Sequence, residues 1–557
     1  MNAEIPKTQK AVQLVGPDEL KVNESKSIDP PGPYQILAEV EAVGLCFSDL
    51  KLLKQFTSHV RKSEIISGID KSILKEIPSY VPGELPTVPG HEAVVKILEV
   101  GEKVTDIQPG GRFLVQTDYR WLPTANSNAA FGYNFEGGLQ QFVLMDQRVI
   151  TSPDGESMLI PASDKLSASA IALVEPWACV EDAYAVKERT TLKENGQMLV
   201  IAEEEFNEKV FLSFVARFGK PDKITLISDT NTLKDIGAAV ENANDVSALA
   251  DASFDDVIYF GSRPETVESL FAKVATSGLL NIVLCGGRFG RDISAQVGRV
   301  HYGNIRIIGT AGDDPSVSME CIPASGEIRR GDKIDVVGAA GPMGVMHVVR
   351  NLCQGVEGVK VYGGDLDDDR LAVLGKIAEP IARKNGVEFI PYNPSKGQTD
   401  EKFDYVVIMA PVGKLVAASV GKAAQNGIIN IFAGIPATVN ADIDLDGYIE
   451  KQLYFIGTSG SVLDDMKTVL KKVEDGSLDT NISVGAICGI EDALKGIRAV
   501  ENHSIAGKII VYPSCRDLQL TVLEGIGEAM PDVNGCLENG LWNKEAENVL
   551  LKYTDTS

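Results

Sequence analysis

The sequence predicts an α/β protein made of a β-rich, barrel-like domain and two doubly wound parallel-sheet domains in tandem. Three observations carry that prediction. Residues 34–150 alternate short apolar runs with Gly and Pro turns, residues 196–312 alternate apolar strands with helix-length segments, and residues 331–460 repeat the second pattern. At 557 residues the chain is too long for a single core.

The first domain is placed at 1–195, completed by 484–515 near the other end of the chain. Its strand candidates are "YQILAEVEAVG", "AVVKILEVG", "GRFLVQTD" and "LQQFVLMD", rich in β-branched and aromatic residues. The second domain is placed at 196–325 and the third at 326–483. A C-terminal extension, 516–557, has no counterpart elsewhere in the sequence. Its "NKEAENVLLKY" reads as a short amphipathic helix that docks on the body or on a neighbouring subunit.

The second and third domains compare directly. "SFDDVIYF" at 253 matches "KFDYVVIM" at 402, and Gly278 and Asn281 match Gly427 and Asn430, all at an offset of 149. "RIIGTAG" at 306 matches "YFIGTSG" at 454, an offset of 148. Offsets that hold within strands and drift in loops are the mark of two copies of one fold.

The copies differ where a ligand would bind. In the later copy, "GAAGPMG" places Gly338, Gly341 and Gly344 between a strand and a helix, with Pro342 and Met343 opening that helix. Such a turn lets backbone N–H groups and the helix dipole approach a pyrophosphate. Asp365 ends the next strand, where a carboxylate accepts hydrogen bonds from ribose hydroxyls, and Arg370 follows in the next helix. Asp367, Asp368 and Asp369 repel a 2′-phosphate, so the reading is NAD rather than NADP. In the earlier copy Ala202, Glu205 and Glu208 stand at the three glycine positions, and Glu203 and Glu204 add charge. That copy is not expected to bind a dinucleotide; it reads as architecture.

A net charge of −25 argues against a general nucleic-acid or anionic-membrane binder. No apolar run reaches the roughly 20 residues of a membrane helix, and "MNAEIPKTQK" has no signal-like apolar region. Eight scattered cysteines without a CxxC suggest neither a disulfide framework nor a four-cysteine zinc lobe, and a reducing cytoplasm is the expected compartment.

A third constellation lies in the first domain. "GLCFSD" supplies Cys46, "PGHE" supplies His91 and Glu92, and "LVEPWACVEDAY" supplies Glu175 ahead of a helix opening at Pro176. Cys, His and Glu are competent zinc ligands, and three protein ligands plus an open position describe a catalytic site.

The chain over about 30–190 and 331–513 resembles the zinc-dependent medium-chain dehydrogenases and reductases. The resemblance rests on "GLCFSD", "PGHE", "VGEKV…PGGR", "EGGLQQFV", "LVEP" and "AGKIIV". Within that family it looks most like the polyol and sugar branch, of the sorbose-1-phosphate reductase type. The resemblance implies a GroES-like zinc domain, Rossmann-like cofactor domains of which the first is degenerate, and one catalytic zinc on Cys46, His91 and Glu92 with Glu175 nearby. It implies no structural zinc, and NAD as cofactor. Ser48 would pass the substrate proton outward, and Lys51 stands where many relatives carry a histidine of that relay.

The expected function is hydride transfer between NAD(H) and a secondary alcohol or ketone of a polyol, sugar or sugar phosphate, by a dimer or tetramer. The alternatives are a zinc/NAD lyase or epimerase working through transient oxidation, and a non-catalytic binding or scaffold protein. Residues 51–75 carry Lys51, Lys54, Arg61, Lys62, Lys71 and Lys75 against Glu64 and Asp70. That segment reads either as a solvated face or as a subsite for a sugar phosphate.

Overall fold

A computed structural model describes residues 5–554 apart from 230–231, 235, 398–399 and 459. The chain forms two compact units, residues 1–178 with 461–557, and residues 179–460. No described helix is long and apolar enough to cross a membrane.

The first unit is built on an eight-stranded sheet. Gln35–Gly44 lies at its centre, antiparallel to Glu92–Val100, to Phe142–Asp146 and to Lys508–Tyr512. The first three of these strands fall on the apolar runs named above. Lys508–Tyr512 comes from the far end of the chain and is buried along its whole length, so the sheet is closed only when the chain returns. An N-terminal hairpin, Thr8–Gly16 with Glu19–Ser27, was not signalled by those runs. Its first strand alternates buried and part-buried positions, while the second is largely exposed.

The C-terminal extension docks on this unit. Helix Lys544–Thr554 buries Glu547, whose carboxylate accepts the N–H groups of Ala168 (2.6 Å) and Ser169 (3.0 Å) at the start of helix Ala168–Ala172. Trp542 Nε1 donates to Ser169 Oγ at 3.1 Å and to Tyr512 Oη at 3.0 Å. The expected amphipathic helix thus covers the body, and a carboxylate at a helix start suits the helix dipole.

The second unit holds two six-stranded parallel sheets. In spatial order the first is Ala239–Asn242, Lys223–Ser228, Gln197–Ala202, Phe254–Phe260, Val274–Val283 and Arg306–Thr310. The second is Glu388–Tyr392, Lys360–Gly364, Lys333–Val337, Phe403–Ile408, Ala423–Ile431 and Tyr454–Ile456. In chain order both read third, second, first, fourth, fifth, sixth. Matching details reach down to single residues. Ser277 and Asn426 both take φ of 59°, and each donates its N–H at 2.8 Å, to Gly303 O and Lys451 O respectively.

Candidate metal and cofactor sites

The register of the first unit's sheet gathers the metal candidates. Gly44 pairs with Glu92 on one side and with Ile510 on the other. Two residues beyond Gly44, Cys46 caps helix Phe47–Gln55. The candidate ligand atoms of Cys46, His91 and Glu92 all lie within 4.8 Å of one another, the one such group of three among the described residues.

Each ligand is held by a neighbour. His91 Nδ1 stands 3.0 Å from Asp49 Oδ1, which leaves Nε2 for a metal. The other oxygen of Asp49 accepts the Cys46 N–H at 3.1 Å. Burial alone would raise the Asp49 carboxyl, but the His91 ring and the Cys46 amide outweigh it and hold the group below its ordinary value. Glu92 is fully buried and pairs through Oε1 with Lys508 Nζ at 2.5 Å. Burial opposes the Lys508 ammonium, yet the negative groups around it, Glu92 foremost, keep its pKa raised.

The donor set fits zinc. Glu92 Oε2 is buried with no hydrogen-bond partner, a costly state for a carboxylate unless something cationic meets it. Gly44 makes room for that oxygen: a Cβ there would stand 2.1 Å from Oε2. One thiol, one imidazole and one carboxylate make a three-ligand set with a position left open.

Glu175 lies outside the mutually close set. Its helix, Val174–Ala185, opens two residues before the expected Pro176, so Glu175 sits in the first turn. Burial raises its carboxyl to about 7; His91 opposes the rise and Glu92 adds to it. Ser48 is half-buried in the first turn of helix Phe47–Gln55, and Lys51 is exposed on the same helix.

Asp49, Lys508, Tyr133 and His59 join the site only in the fold. Asp49 and Lys508 do lie inside the motifs "GLCFSD" and "AGKIIV". The Tyr133 ring packs 5.6 Å from the His91 ring and 5.1 Å from the His59 ring, with the Arg61 guanidinium 5.4 Å from its centroid. Burial, with the charges of Arg61 and Lys51 adding, lowers His59 to about 4. No sequence pattern marks these two rings; only the fold brings them beside His91.

Half of the basic segment's cations are spent on structure. Lys62 is fully buried and donates to the Val81 and Leu85 carbonyls. Lys54 pairs with Asp18 at 2.7 Å and Glu501 at 2.6 Å, and Arg61 with Asp118 at 2.7 Å. Lys51, Lys71 and Lys75 remain exposed.

In the second unit the glycine turn follows strand Lys333–Val337 and opens helix Pro342–Cys353, with Gly341 as its N-cap. Gly338 takes φ of 88°, which favours glycine. A Cβ on Gly344 would stand 2.3 Å from Gly338 O, so helix and turn close up only with glycine there. Asp365 accepts the Ala340 N–H at 3.0 Å and the Asp367 N–H at 3.2 Å, and its half-buried carboxylate keeps lone pairs for a ligand. Pro342 is exposed, Met343 half-buried, and exposed Arg370 lies 3.6 Å from Asp367. The turn, the free helix start and the carboxylate fit a dinucleotide.

The other sheet fills the equivalent place with its own atoms. After strand Gln197–Ala202, Phe206 stacks on Phe260 with ring centres 4.5 Å apart. The Glu203 carboxylate accepts from Tyr259 Oη and Thr266 Oγ1, both at 2.6 Å. Asn207, rather than a glycine, caps helix Glu208–Phe218.

Residues 32–154 match the family described as alcohol dehydrogenase GroES-like domain. The chain belongs to this alcohol dehydrogenase-like family, the medium-chain dehydrogenases and reductases. It is 32% identical over 97 residues to sorbitol dehydrogenase of Sus scrofa, covering 17% of this chain and 78% of that one. It is 25% identical over 252 residues to mannitol-1-phosphate 5-dehydrogenase of Aliivibrio fischeri, covering 41% of this chain and 59% of that one. The chain spans somewhat over half the length of the longer curated relatives it matches. In fold it is similar to 2R,3R-butanediol dehydrogenase from Bacillus subtilis, with a TM-score of 0.52 at 14% identity, over 91% of this chain and 100% of that one.

Proposed function

We propose that this protein is a zinc-dependent oxidoreductase that moves a hydride between NAD(H) and a secondary alcohol or ketone of a polyol, sugar or sugar phosphate. The observation that carries the reading is the buried, partnerless Glu92 Oε2 beside Cys46 and His91. Its polyol side draws on the similarity to sorbitol and mannitol-1-phosphate dehydrogenases. The phosphate subsite is narrower than the sequence suggests, because Lys54, Arg61 and Lys62 are engaged, which leaves Lys51 on the helix that Cys46 caps, with Lys71 and Lys75 further on.

In this reading one zinc would be held by Cys46, His91 and Glu92, with no structural zinc, and would supply Lewis acidity to the substrate oxygen. Asp49 fixes the His91 tautomer, and Lys508 engages Glu92 Oε1, which leaves Oε2 without a protein partner. Glu175, with its carboxyl raised to about 7, holds or releases a proton beside the ligands. Ser48 and Lys51 lead the substrate proton outward. Gly338, Gly341, Pro342, Met343 and Gly344 cradle the pyrophosphate of NAD, with Asp365 on the ribose and Arg370 beside it.

We read the two parallel sheets as two copies of one Rossmann-like domain, 196–325 and 326–483, the first degenerate. The zinc domain is 1–195 with 484–515, and the extension is 516–557. Eight free cysteines suit a cytoplasmic setting.

The test is NADH formation from a panel of polyols, sugars and their phosphates, with and without a zinc chelator. Chelator-sensitive turnover with NAD supports the reading. Turnover indifferent to zinc, or none with a zinc-loaded protein, overturns it.

A further inference from the structure

The two sheets of the second unit meet through their last strands. Arg306–Thr310 and Tyr454–Ile456 lie against each other, each at the edge of its own sheet. An edge strand offers unpaired backbone groups to another chain unless something covers it.

The contacts across this junction come in reciprocal pairs. At the offset of 148 that relates "RIIGTAG" to "YFIGTSG", Ile293, Ser294 and Ala295 are equivalent to Ala441, Asp442 and Ile443. These two short strands pair with each other antiparallel, Ile293 with Ile443 and Ala295 with Ala441, about a central Ser294–Asp442 pair. Exchanging the halves maps this ladder onto itself. The same exchange relates the helices: Gly298–Tyr302 packs on Tyr454–Ile456, and Leu445–Glu450 packs on Arg306–Thr310. It relates the glycines as well. A Cβ on Gly309 would stand 2.7 Å from Ile449, and one on Gly457 would stand 3.0 Å from His301, and 309 and 301 are equivalent to 457 and 449.

Residue i meeting j while j meets i is the signature of a two-fold, isologous interface between identical subunits. Here it lies within one chain. The junction is sealed by apolar and polar contacts together. Tyr448 Oη donates to Ile307 O at 2.8 Å, and Glu188 bridges the equivalent residues Arg306 (2.7 Å) and Tyr454 (2.7 Å). Ile293, Val300, Ile443 and Ile449 belong to one continuous core that runs through both halves.

We infer that the first sheet domain takes the place of a partner subunit: the chain is its own two-fold pair, and works as a single copy. The inference rests on the two-copy reading of the sheets but not on what either copy binds. It departs from the expected dimer or tetramer, because the edges formed by Arg306–Thr310 and Tyr454–Ile456 are already covered from within.

The test has two parts, both on the full chain. Ser294→Cys with Asp442→Cys places facing cysteines on the two-fold axis, at a spacing that antiparallel neighbours allow to oxidise. Oxidation is expected to give one chain with an internal bridge, seen as a faster band on a non-reducing gel and a peptide cross-link between the two sites, beyond anything in the unmodified protein. A covalent dimer through these sites would overturn the inference, since the halves would then pair between chains. Light scattering on the unmodified protein, which needs no variant to fold, should return 59.8 kDa across dilution. Twice that mass would overturn the single-copy claim.

Discussion

His91 Nδ1 and Asp49 Oδ1 stand 3.0 Å apart, both side chains almost wholly buried, and the pairing decides which nitrogen of the ring faces Cys46 and Glu92. Asp49→Asn keeps the size but loses the charge that orients the ring. Zinc affinity should fall about 10–100-fold, as for other partners of metal-bound histidines. Competition against a coloured chelator reads this directly, and an unchanged affinity would mean that the Asp49 contact is only packing.

Lys508 and Glu92 form a buried pair, so removing the cation leaves a carboxylate stranded. Lys508→Met should destabilise the metal-free protein by about 3–5 kcal/mol. Added zinc should recover part of that loss, because the metal then supplies the positive partner that Glu92 has lost. Denaturant melts of both proteins, with and without zinc, measure the difference; equal losses in the two conditions would contradict a metal role for Glu92.

Lys62 offers a pH signature. Burial lowers its ammonium to about 8 from the ordinary 10.5. Between those values the folded state binds fewer protons at this site than the unfolded state, so stability rises with pH across the window. Compared with Lys62→Met, which has no such group, the native protein should gain about 3 kcal/mol between pH 8 and 10.5. A stability difference that stays flat with pH would show that the buried amine carries its charge at no cost.

At the glycine turn, Gly344→Ala puts a methyl group against Gly338 O, where a Cβ would stand only 2.3 Å away. Dinucleotide binding should be lost to NADH fluorescence titration while the zinc site keeps its affinity. Asp365→Asn is milder; losing a charged acceptor should weaken NAD about 10–100-fold. NAD affinity unmoved by both changes would remove the cofactor site from this turn.

Glu188 joins the two halves of the second unit. Glu188→Gln leaves Arg306 buried without its counter-charge and should cost about 3–5 kcal/mol. Combining it with Arg306→Met should return much of that loss, a coupling that thermal melts of the single and double variants resolve.

What the sequence could say depended on how far apart the partners stand. Strands such as Gln35–Gly44 and Glu92–Val100 announce themselves by local apolar runs, and Cys46, His91 and Glu92 sit in short motifs, so both were legible. Lys508 was not, since it meets Glu92 only after the chain has crossed the whole second unit and returned. The N-terminal hairpin was missed because its second strand, "ELKVNESKS", has little apolar patterning. Lys62 lies in a segment that reads as a solvated face or a phosphate subsite, and only the fold shows carbonyls closing around it. In the sequence the acids Glu203, Glu204, Glu205 and Glu208 read only as charge set against a ligand. The structure adds that Glu203 is a hydrogen-bonded prop and that Phe206 fills the space beside it.

The internal two-fold also changes how this molecule inherits mutations. In a pair of identical subunits every substitution appears twice, so a glycine turn lost from one is lost from both, and catalysis goes with it. When one gene encodes both halves in series, a change at Glu205 leaves Gly341 untouched. On the proposed reading, the half with the acids at Glu203 and Glu205 is free to drift toward the best-packed sequence, while the half with the glycine turn is held to its chemistry.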